Sequence, residues 1–538
     1  MQAWKTPDKY AAYLIPSIAD ILFVCLLLFL SIAKGQALLA DGDTGWHIRT
    51  GEFILRTHSV PKYDIFSFIA PPLPWTAHEW LSEVIMALVH KIYGLTGIVF
   101  FFAFVISLIY YLQFRILKSY GINILAVTAA MLLALMPSEV HWLARPHIFS
   151  LLFMLIWYCL MDDYQYRDKK YIFVLPLVML VWVNLHAGFI IGFVICAIYL
   201  AGNVLQSLLA PNGGKAVFKR KAASICAVAA ISLLASLANP RGYEVLLYPF
   251  RLTFSKFTMD HIIEFLSPDF HRQALFQLLI FFLIAVLALS KKRLNIIETA
   301  LLAVFLEMSL YSVRYLPVFA IVATPILAKQ VSYLLKESKT SPAVLIREKA
   351  DGIAAIDGAA RGFLWPALTV LLVAALIATG KLEYRFSEYM QPEKPITAVK
   401  FLQKVPVRGN MFNSLEFGDY VDYAAWPQYK VFFDGRMDMF GEKKFKEYML
   451  VSSIGPGWRN ILRKYNVNWI FFSADSLLCR RLRTVKGWKL IYTDKVADIF
   501  VRDMPEYREL IKKYTASAMG QAELERQNSN TVFSEKVI

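Results

Sequence analysis

Residues 11–47 read AAYLIPSIADILFVCLLLFLSIAKGQALLADGDTGWH. The first part of this stretch is an almost uninterrupted apolar run, long enough to cross the hydrocarbon core of a bilayer, which is about 30 Å thick. The run is longer than the apolar core of a cleavable signal peptide, and Leu38-Leu39-Ala40 lacks the small residue that a cleavage site requires. We therefore predict an uncleaved membrane anchor, followed directly by an acidic loop.

Apolar runs of similar length recur along the chain. Of its 538 residues, 57% are hydrophobic, and these collect in blocks rather than being dispersed at helix or strand period. Blocks of this length are typical of membrane-spanning helices. We predict about eleven spans, near residues 11–33, 96–114, 121–137, 147–161, 171–184, 187–208, 222–238, 273–290, 295–311, 315–335 and 363–380.

The basic residues test this count. They stand in short loops between apolar blocks, so the net charge of +16 carries topology information and does not indicate a nucleic-acid partner. If the N-terminus with Lys5 and Lys9 is cytoplasmic, every cytoplasmic connection is basic. The cytoplasmic sets are Arg115 and Lys118; Arg167, Lys169 and Lys170; Lys215, Lys219, Arg220 and Lys221; Lys291, Lys292 and Arg293; and Lys336, Lys339, Arg347, Lys349 and Arg361. We predict a multi-pass protein of the inner (plasma) membrane with an extracytoplasmic C-terminus.

After Gly380 the sequence has no further apolar run of spanning length. Four of the five cysteines lie in apolar blocks, so neither a disulfide framework nor a CxxC metal site is indicated. We predict an all-α polytopic membrane domain over 1–380, a small extracytoplasmic α/β domain over 381–520, and a disordered tail over 521–538. The linker 336–362 shows no apolar periodicity. The α/β domain has predicted strands at Tyr429–Phe433, Trp469–Ser473, Lys489–Tyr492 and Asp498–Val501 and helices at Glu442–Val451 and Trp458–Tyr465.

The first outside loop carries two carboxylates, Asp41 and Asp43, directly after the first span. Such a pair can bind a divalent cation through its oxygens, or one carboxylate can accept the proton of an attacking hydroxyl. The alternative is that Asp43 only caps the following helix. His47 lies in that helix and is a candidate substrate-binding residue.

Two amphipathic helices are expected in the same loop. The first runs to about Arg56 and the second starts near Thr76, and both are too short and one-sided to span the bilayer, so we expect them to lie in the interface plane. The segment Thr76-Ala77-His78-Glu79 has the pattern of a capping box, which competes with a site role for His78 and Glu79.

The other outside connections are short and polar. Each of their ionisable residues alone fits an interfacial anchor, yet ionisable groups at membrane depth are costly and are usually retained for a site. Their recurrence on one side of the membrane predicts a substrate site. The candidates are His141, Arg145, His147, Asn184, His186, Arg241, Glu264 and Arg314.

The arginines among them suit phosphate, because a guanidinium stays charged and grips phosphate oxygens bidentately. The chain has no P-loop and no GxGxxG motif before a helix, which fits a compartment without nucleotide donors. We therefore expect a hydroxyl activated by Asp41 or Asp43 to displace a lipid-linked phosphate that Arg145, Arg241 or Arg314 stabilises.

The loop Asp41-Gly42-Asp43 after the first span, with two interfacial helices behind it, resembles the GT-C glycosyltransferases, which use polyprenyl-phosphate-linked sugars. A prokaryotic branch is similar through residues 41–47, 75–81, 144–147, 182–188, 239–242 and 433–436. The resemblance implies a GT-C-like fold, Asp41 or Asp43 as base, a polyprenyl-phosphate sugar as donor, and a glycan, lipid or protein acceptor in the cell envelope. It leaves Mg²⁺, Mn²⁺ or metal-independent chemistry open. The acceptor signature of oligosaccharyltransferases, Trp-Trp-Asp-Tyr-Gly, is missing, which argues against Asn-linked transfer.

Two other functions remain open. A transporter or flippase of a lipid-linked glycan would carry ionisable residues at mid-span and two related halves; only Glu298 and Glu307 favour it. A non-catalytic envelope-assembly subunit would tolerate the loss of Asp43. A polysaccharide polymerase or ligase is a variant of the enzyme hypothesis. In the C-terminal region, Phe433-Asp434-Gly435-Arg436 fits a turn with a structural Asp–Arg pair, or alternatively a glycan contact.

Overall fold

The computed structural model describes residues 11–209, 211–386 and 394–520, so the predicted tail over 521–538 lies outside the described residues. The chain forms two units. One comprises Met1–Leu38 and Val89–Tyr384, and the other comprises Leu39–Leu88 and Arg385–Ile538. The first outside loop, which the sequence places in the membrane domain, thus groups with the C-terminal residues.

The first unit is built of α-helices. Each of the eleven apolar segments predicted from the sequence overlaps a helix. The helices are Ala11–Leu14, Ile18–Leu28, the part of Trp80–Ser119 that follows Leu88, Ile124–Ser138, His147–Arg167, Leu175–Leu185, Ile190–Leu209, Asn212–Ser236, Glu244–Phe254, Lys256–His261, Ala274–Leu289, Ile296–Tyr311, Leu316–Glu337, Ser341–Ala359 and Leu364–Ala378.

Length and apolarity qualify fewer of these helices as membrane spans. Among the described residues, six helical segments are long and apolar enough to cross a bilayer, or seven if Ser341–Ala359 and Leu364–Ala378, bent by 68°, form one span. Ala274–Leu289 is apolar but has only 16 residues. The chain is therefore a multi-pass membrane protein, and the number of eleven spans stays a prediction. The six segments are Ala12–Ala33, Trp80–Ser119, Ile124–His141, His147–Arg167, Ala187–Leu209 and Val313–Glu337.

The connection 336–362 differs from the expected linker, because most of it is the 19-residue helix Ser341–Ala359. Its sequence is rich in good helix formers, and Pro342 stands in the first turn, where proline is tolerated. This helix consists of residues with high helix propensity but has no amphipathic pattern, so apolar periodicity did not predict it.

The second unit contains a four-stranded sheet and short helices. The strands are β1 (Asn410–Asn413), β2 (Val467–Ser473), β3 (Trp488–Thr493) and β4 (Ala497–Arg502), in the order β1-β2-β4-β3. β1 and β2 are parallel, and the other pairs are antiparallel. The helices are Asp43–Thr57, the first part of Trp80–Ser119, Ile396–Lys404, Leu415–Ala425, Met437–Ser452, Trp458–Lys464 and Leu477–Leu482, with a last one over 508–520.

The core of this unit lies on the central strands, where Trp469, Phe471 and Ile499 are fully buried. The small sheet expected after Gly380 is confirmed, with one error. Tyr429–Phe433 forms only an isolated bridge, between Val431 and Ser67, and the missing strand is β1. β1 has four residues and begins and ends with Asn, so it carries no strand pattern of its own.

The first predicted amphipathic helix of the outside loop is present as Asp43–Thr57. The second begins at Trp80 rather than near Thr76 and runs to Ser119, with a break at Tyr93 and Gly94. Gly94 has a φ of 58°, a conformation that glycine adopts without strain. The break separates the amphipathic part from the apolar part that follows.

Candidate functional site

Asp41 and Asp43 stand at the start of helix Asp43–Thr57. The Asp41 carboxylate accepts a hydrogen bond from the backbone N–H of Asp43 at 2.8 Å, and the Asp43 carboxylate accepts one from Trp46 Nε1 at 3.0 Å. The N-cap position of this helix is Gly42, and Asp43 is its first residue, one position later than the capping interpretation expected. Both carboxylates lie where the helix dipole favours negative charge.

Two glycines bring Asp43 close to Asp419. The backbone N–H of Gly435 donates to Asp419 Oδ1 at 2.7 Å. A Cβ atom on Gly435 would lie 2.5 Å from Asp43 Oδ1 and 2.9 Å from Asp419 Oδ1, and one on Gly42 would lie 2.5 Å from Asp419 Oδ2. A side chain at either position would therefore have to displace a carboxylate, and the two carboxylates approach the same stretch of backbone.

Asp419 also belongs to a buried group of three carboxyls with Asp422 and Asp434. Ligand oxygens of the three lie within 4.8 Å of one another, and this is the one such group found among the described residues. Asp419 and Asp422 are three residues apart on helix Leu415–Ala425, hence on one face. Burial, together with the neighbouring carboxylates, raises the pKa of Asp419 and of Asp422 well above the usual value.

Arg436 is the cation beside this group. Its guanidinium donates to both oxygens of Asp434, at 2.9 and 2.5 Å, and Nη2 lies 2.8 Å from Asp64 Oδ1. It also lies over the rings of Phe66 and Trp75, at 4.8 and 4.7 Å. Burial would raise the pKa of Asp64, but the charge of Arg436 together with hydrogen bonds from Ser67, Phe66 and Arg436 outweighs burial and lowers that pKa. The structural Asp–Arg pair inferred from Phe433-Asp434-Gly435-Arg436 is present.

His47 connects the two helices of the first loop. It is buried, with Nδ1 3.3 Å from Glu83 Oε1 and Nε2 3.8 Å from Glu79 Oε2. Glu79 Oε1 also lies 3.5 Å from His78 Nε2. The helix starts only after Glu79, so the capping box expected at Thr76 does not form. The sequence reasoning missed Glu83, although it faces His47 from the next helical turn.

Three predicted residues of the first unit meet in one ion-pair cluster. Arg145 Nη1 lies 2.5 Å from Glu264 Oε1, and Arg314 Nη1 lies 3.8 Å from Glu264 Oε2. Burial would raise the pKa of Glu264, but the charges of Arg145 and Arg314 outweigh it and lower that pKa to about 2. Two guanidiniums therefore share one ionised carboxylate, and the cluster carries a net positive charge. We call it the Arg145–Glu264–Arg314 cluster.

The predicted histidines of the first unit are buried near one another. His147 Nε2 donates to the backbone carbonyl of His141 at 2.8 Å, and the ring centroids of His147 and His186 are 6.4 Å apart. His186 Nδ1 accepts a hydrogen bond from the backbone of Gly188 at 2.9 Å and from Ser150 Oγ at 2.7 Å. Ser150 Oγ in turn accepts a hydrogen bond from Trp182 Nε1, so this serine holds His186 in place. No sequence motif pointed to Ser150.

Asn184 and Arg241 have contacts of a structural kind. The Asn184 side chain donates to the carbonyls of Leu180 and Ala238, at 2.9 Å each. Arg241 lies 3.7 Å from Glu244 and over the ring of Tyr248. These contacts join helix ends, whereas those of Arg145 and Arg314 converge on Glu264. Of the three predicted phosphate ligands, the structure brings two together.

Neither a protein-family model nor a curated protein matches this chain. Solved structures do. The archaeal oligosaccharyltransferase AglB from Archaeoglobus fulgidus, in complex with an inhibitory peptide and a dolichol-phosphate, is similar with a TM-score of 0.53 and 13% identity, over 90% of this chain and 74% of that chain. The apo form of the Archaeoglobus fulgidus oligosaccharyltransferase gives 0.51 and 13%, over 93% and 75%.

ArnT from Cupriavidus metallidurans bound to undecaprenyl phosphate gives a TM-score of 0.50 and 11% identity, over 89% of this chain and 97% of that chain. At such identities the likeness is one of fold. The resemblance to GT-C enzymes drawn from the Asp41-Gly42-Asp43 loop is confirmed at that level. This chain has a GT-C-like membrane fold, the fold that these solved structures share.

Proposed function

We propose that this protein is an integral membrane glycosyltransferase that moves a sugar from a polyprenyl-phosphate carrier to an acceptor on the extracytoplasmic side of the inner membrane. The fold supports glycosyl transfer in general terms, and the similar structures were solved with dolichol-phosphate and undecaprenyl phosphate. The observation that carries the proposal is the Arg145–Glu264–Arg314 cluster.

The charge of this cluster suits a phosphate that becomes more negative during the reaction. A sugar linked to polyprenyl phosphate is a phosphodiester with one negative charge, and the departing polyprenyl phosphate is a monoester with a second charge developing. Arg145 and Arg314 place two guanidiniums beside one carboxylate, and a guanidinium binds phosphate oxygens. This interaction is stronger in the transition state than in the bound donor, which is the condition for catalysis.

The reaction we propose is a single displacement with inversion. The acceptor hydroxyl forms a bond to the anomeric carbon, the bond from that carbon to the phosphate oxygen breaks, and the hydroxyl proton passes to a carboxylate. We assign the proton to Asp43. Asp41 then acts as a positioning residue, since its carboxylate holds the backbone N–H of Asp43.

The proposed orientation of the protein in the membrane rests on the distribution of basic residues among its loops. The Arg145–Glu264–Arg314 cluster is built from three connections that the positive-inside rule places outside, and the predicted cytoplasmic connections are basic. An extracytoplasmic reaction also accounts for the missing nucleotide motifs, because lipid-linked sugars are donors that do not require nucleotides there. The acceptor is a glycan, lipid or protein of the cell envelope.

The test uses the purified full chain in lipid with a panel of radiolabelled polyprenyl-phosphate sugars, following released lipid phosphate and label on envelope acceptors. We expect Arg314→Ala to lower kcat/KM by roughly 10²- to 10³-fold and Asp43→Asn by roughly 10²- to 10⁴-fold. Arg272→Ala is the matched control, since Arg272 is highly exposed and lies beside Asp269. Asp503→Asn is the matched control for Asp43→Asn, since the side chain of Asp503 is 52% exposed.

The same assay separates the enzyme proposal from the two alternative functions. If no donor is turned over and wild type, Asp43→Asn and Arg314→Ala bind donor equally, the enzyme proposal is wrong. Donor binding with transport across the vesicle membrane would then support a transporter. Neither binding nor transport would support an assembly subunit.

A further inference from the structure

The three carboxyls of Asp419, Asp422 and Asp434, which we call the aspartate triad, have more negative charge than their surroundings balance. Asp422 and Asp434 are fully buried, and Asp419 is 6% exposed. Asp64 is buried as well and interacts with the same guanidinium as Asp434. Among the described residues, Arg436 pairs with Asp434 and Asp64 but not with Asp419 or Asp422, which lie in the same buried group. Charge of one sign that stays unpaired in a protein interior is strongly unfavourable.

Asp422 is the residue that points to a missing ligand. Both of its carboxylate oxygens are buried and have no hydrogen-bond partner among the described residues. An ionised carboxylate in this position lacks donors, and a protonated one lacks an acceptor for its O–H. Buried polar groups are satisfied in the great majority of cases, so an orphaned carboxyl calls for an explanation such as an ion.

The other two members keep oxygens turned to the same place. Asp419 uses Oδ1 to accept the backbone N–H of Gly435. Asp434 is held on both oxygens by Arg436, which fixes its position. Ligand oxygens of all three lie within 4.8 Å of one another. Oxygens around Ca²⁺ lie at roughly 2.3–2.6 Å from the metal, so two on opposite sides are about 4.6–5.2 Å apart.

We infer that the aspartate triad binds a hard divalent cation, Ca²⁺ or, with a slight closure of the carboxylates, Mg²⁺ or Mn²⁺. The ligands are carboxylate oxygens from one helix face and from the segment before helix Met437–Ser452. All-oxygen ligation excludes a preference for soft metals. The bound charge balances the excess of carboxylates, and it does so independently of the transfer reaction proposed above.

This site differs from the pair Asp41 and Asp43 that the sequence suggested for a metal. The group with mutually close ligand oxygens consists of Asp419, Asp422 and Asp434 and does not include them. Asp43 approaches Asp419 through Gly435, so a cation at the aspartate triad would also lower the local negative potential felt by Asp43.

The experiment measures Mn²⁺ binding by electron paramagnetic resonance on the full chain in an uncharged maltoside detergent, after removal of metals with EDTA. We expect one tightly bound Mn²⁺ per chain that Ca²⁺ or Mg²⁺ displaces. Asp422→Asn, which keeps the side-chain shape, should weaken binding by at least about tenfold. Asp503→Asn and Asp41→Asn should bind within about threefold of wild type.

A wild-type chain that binds no Mn²⁺ at millimolar concentration overturns the inference and leaves a triad that shares protons. Binding that survives in Asp422→Asn but is lost in Asp41→Asn also overturns it. Should Asp422→Asn aggregate, Asp419→Asn replaces it, and retention of the site in that variant again contradicts the inference. Because the readout is binding, a failure of glycosyl transfer leaves this result intact.

Discussion

Replacing Glu264 with Gln isolates the charge that holds Arg145 and Arg314 together. The substitution keeps the shape of the side chain and removes its negative charge, so two partly buried guanidiniums lose their common partner. A pKa lowered from 4.5 to about 2 corresponds to roughly 3 kcal/mol in favour of the ionised form. Removing one member of a buried ion pair typically costs about 3–5 kcal/mol, so the two routes agree.

The pH dependence has a definite sign. The pKa of Glu264 is lower in the folded protein than in the unfolded chain, so its contribution is fully present above about pH 4.5 and disappears as the pH falls toward 2. Glu264→Gln should therefore unfold at a lower temperature than wild type at pH 7, by about 4 °C for a cooperative unit of roughly 330 residues. The difference should shrink as the pH is lowered through this window.

The assay is thermal unfolding of both proteins in one detergent at one scan rate, from pH 7 down to the lowest pH at which they stay soluble. Glu244→Gln is the matched control. It breaks the pair with Arg241, but the side chain of Glu244 is 44% exposed, so the expected change in unfolding free energy is below about 1 kcal/mol. Equal unfolding temperatures for Glu264→Gln and Glu244→Gln at pH 7 would refute the reasoning.

Two further predictions concern the second unit. Gly435→Ala should lower turnover at least about tenfold, because the added Cβ would meet the carboxylates of Asp43 and Asp419. Gly352→Ala is the control and should keep wild-type turnover, because Gly352 has open space around it. Equal turnover of the two variants would contradict the packing described. Burial lowers the pKa of Lys444 to about 7, so the unfolded chain binds more protons between pH 7 and 10 and wild-type stability should rise across that range. Lys444→Met should abolish the rise in a thermal-unfolding series, and an unchanged slope would show that Lys444 is not the cause.

Local patterns predicted what depends on local physics. An apolar segment in a bilayer satisfies its backbone polar groups by forming a helix whatever its neighbours are, and each of the eleven apolar segments overlaps a helix. The strands at Trp469–Ser473 and Asp498–Val501 were recognised because each is an unbroken β-prone run. The pair of Asp434 with Arg436 was within reach of sequence reasoning because the two residues are neighbours in one turn.

Other features needed the fold. Glu79 had the spacing of a capping box, yet the helix begins one residue after it and its carboxylate lies beside His47 and His78. Tyr429–Phe433 looked like a strand but found only one bridge partner. Both errors have the same origin: a short motif is compatible with several conformations, and tertiary contacts select among them.

By itself, then, the sequence determined the membrane class of this protein, its run of apolar helices, the acidic loop after the first apolar segment and the arginines of the connections predicted to lie outside. Only the tertiary structure decided which of those arginines share a carboxylate, and that Asp419, Asp422 and Asp434 meet beside Gly435. Hydropathy and charge are properties of a segment and survive in isolation. Whether a buried charge is neutralised depends on residues far apart in the chain, because folding decides which charged groups meet away from water.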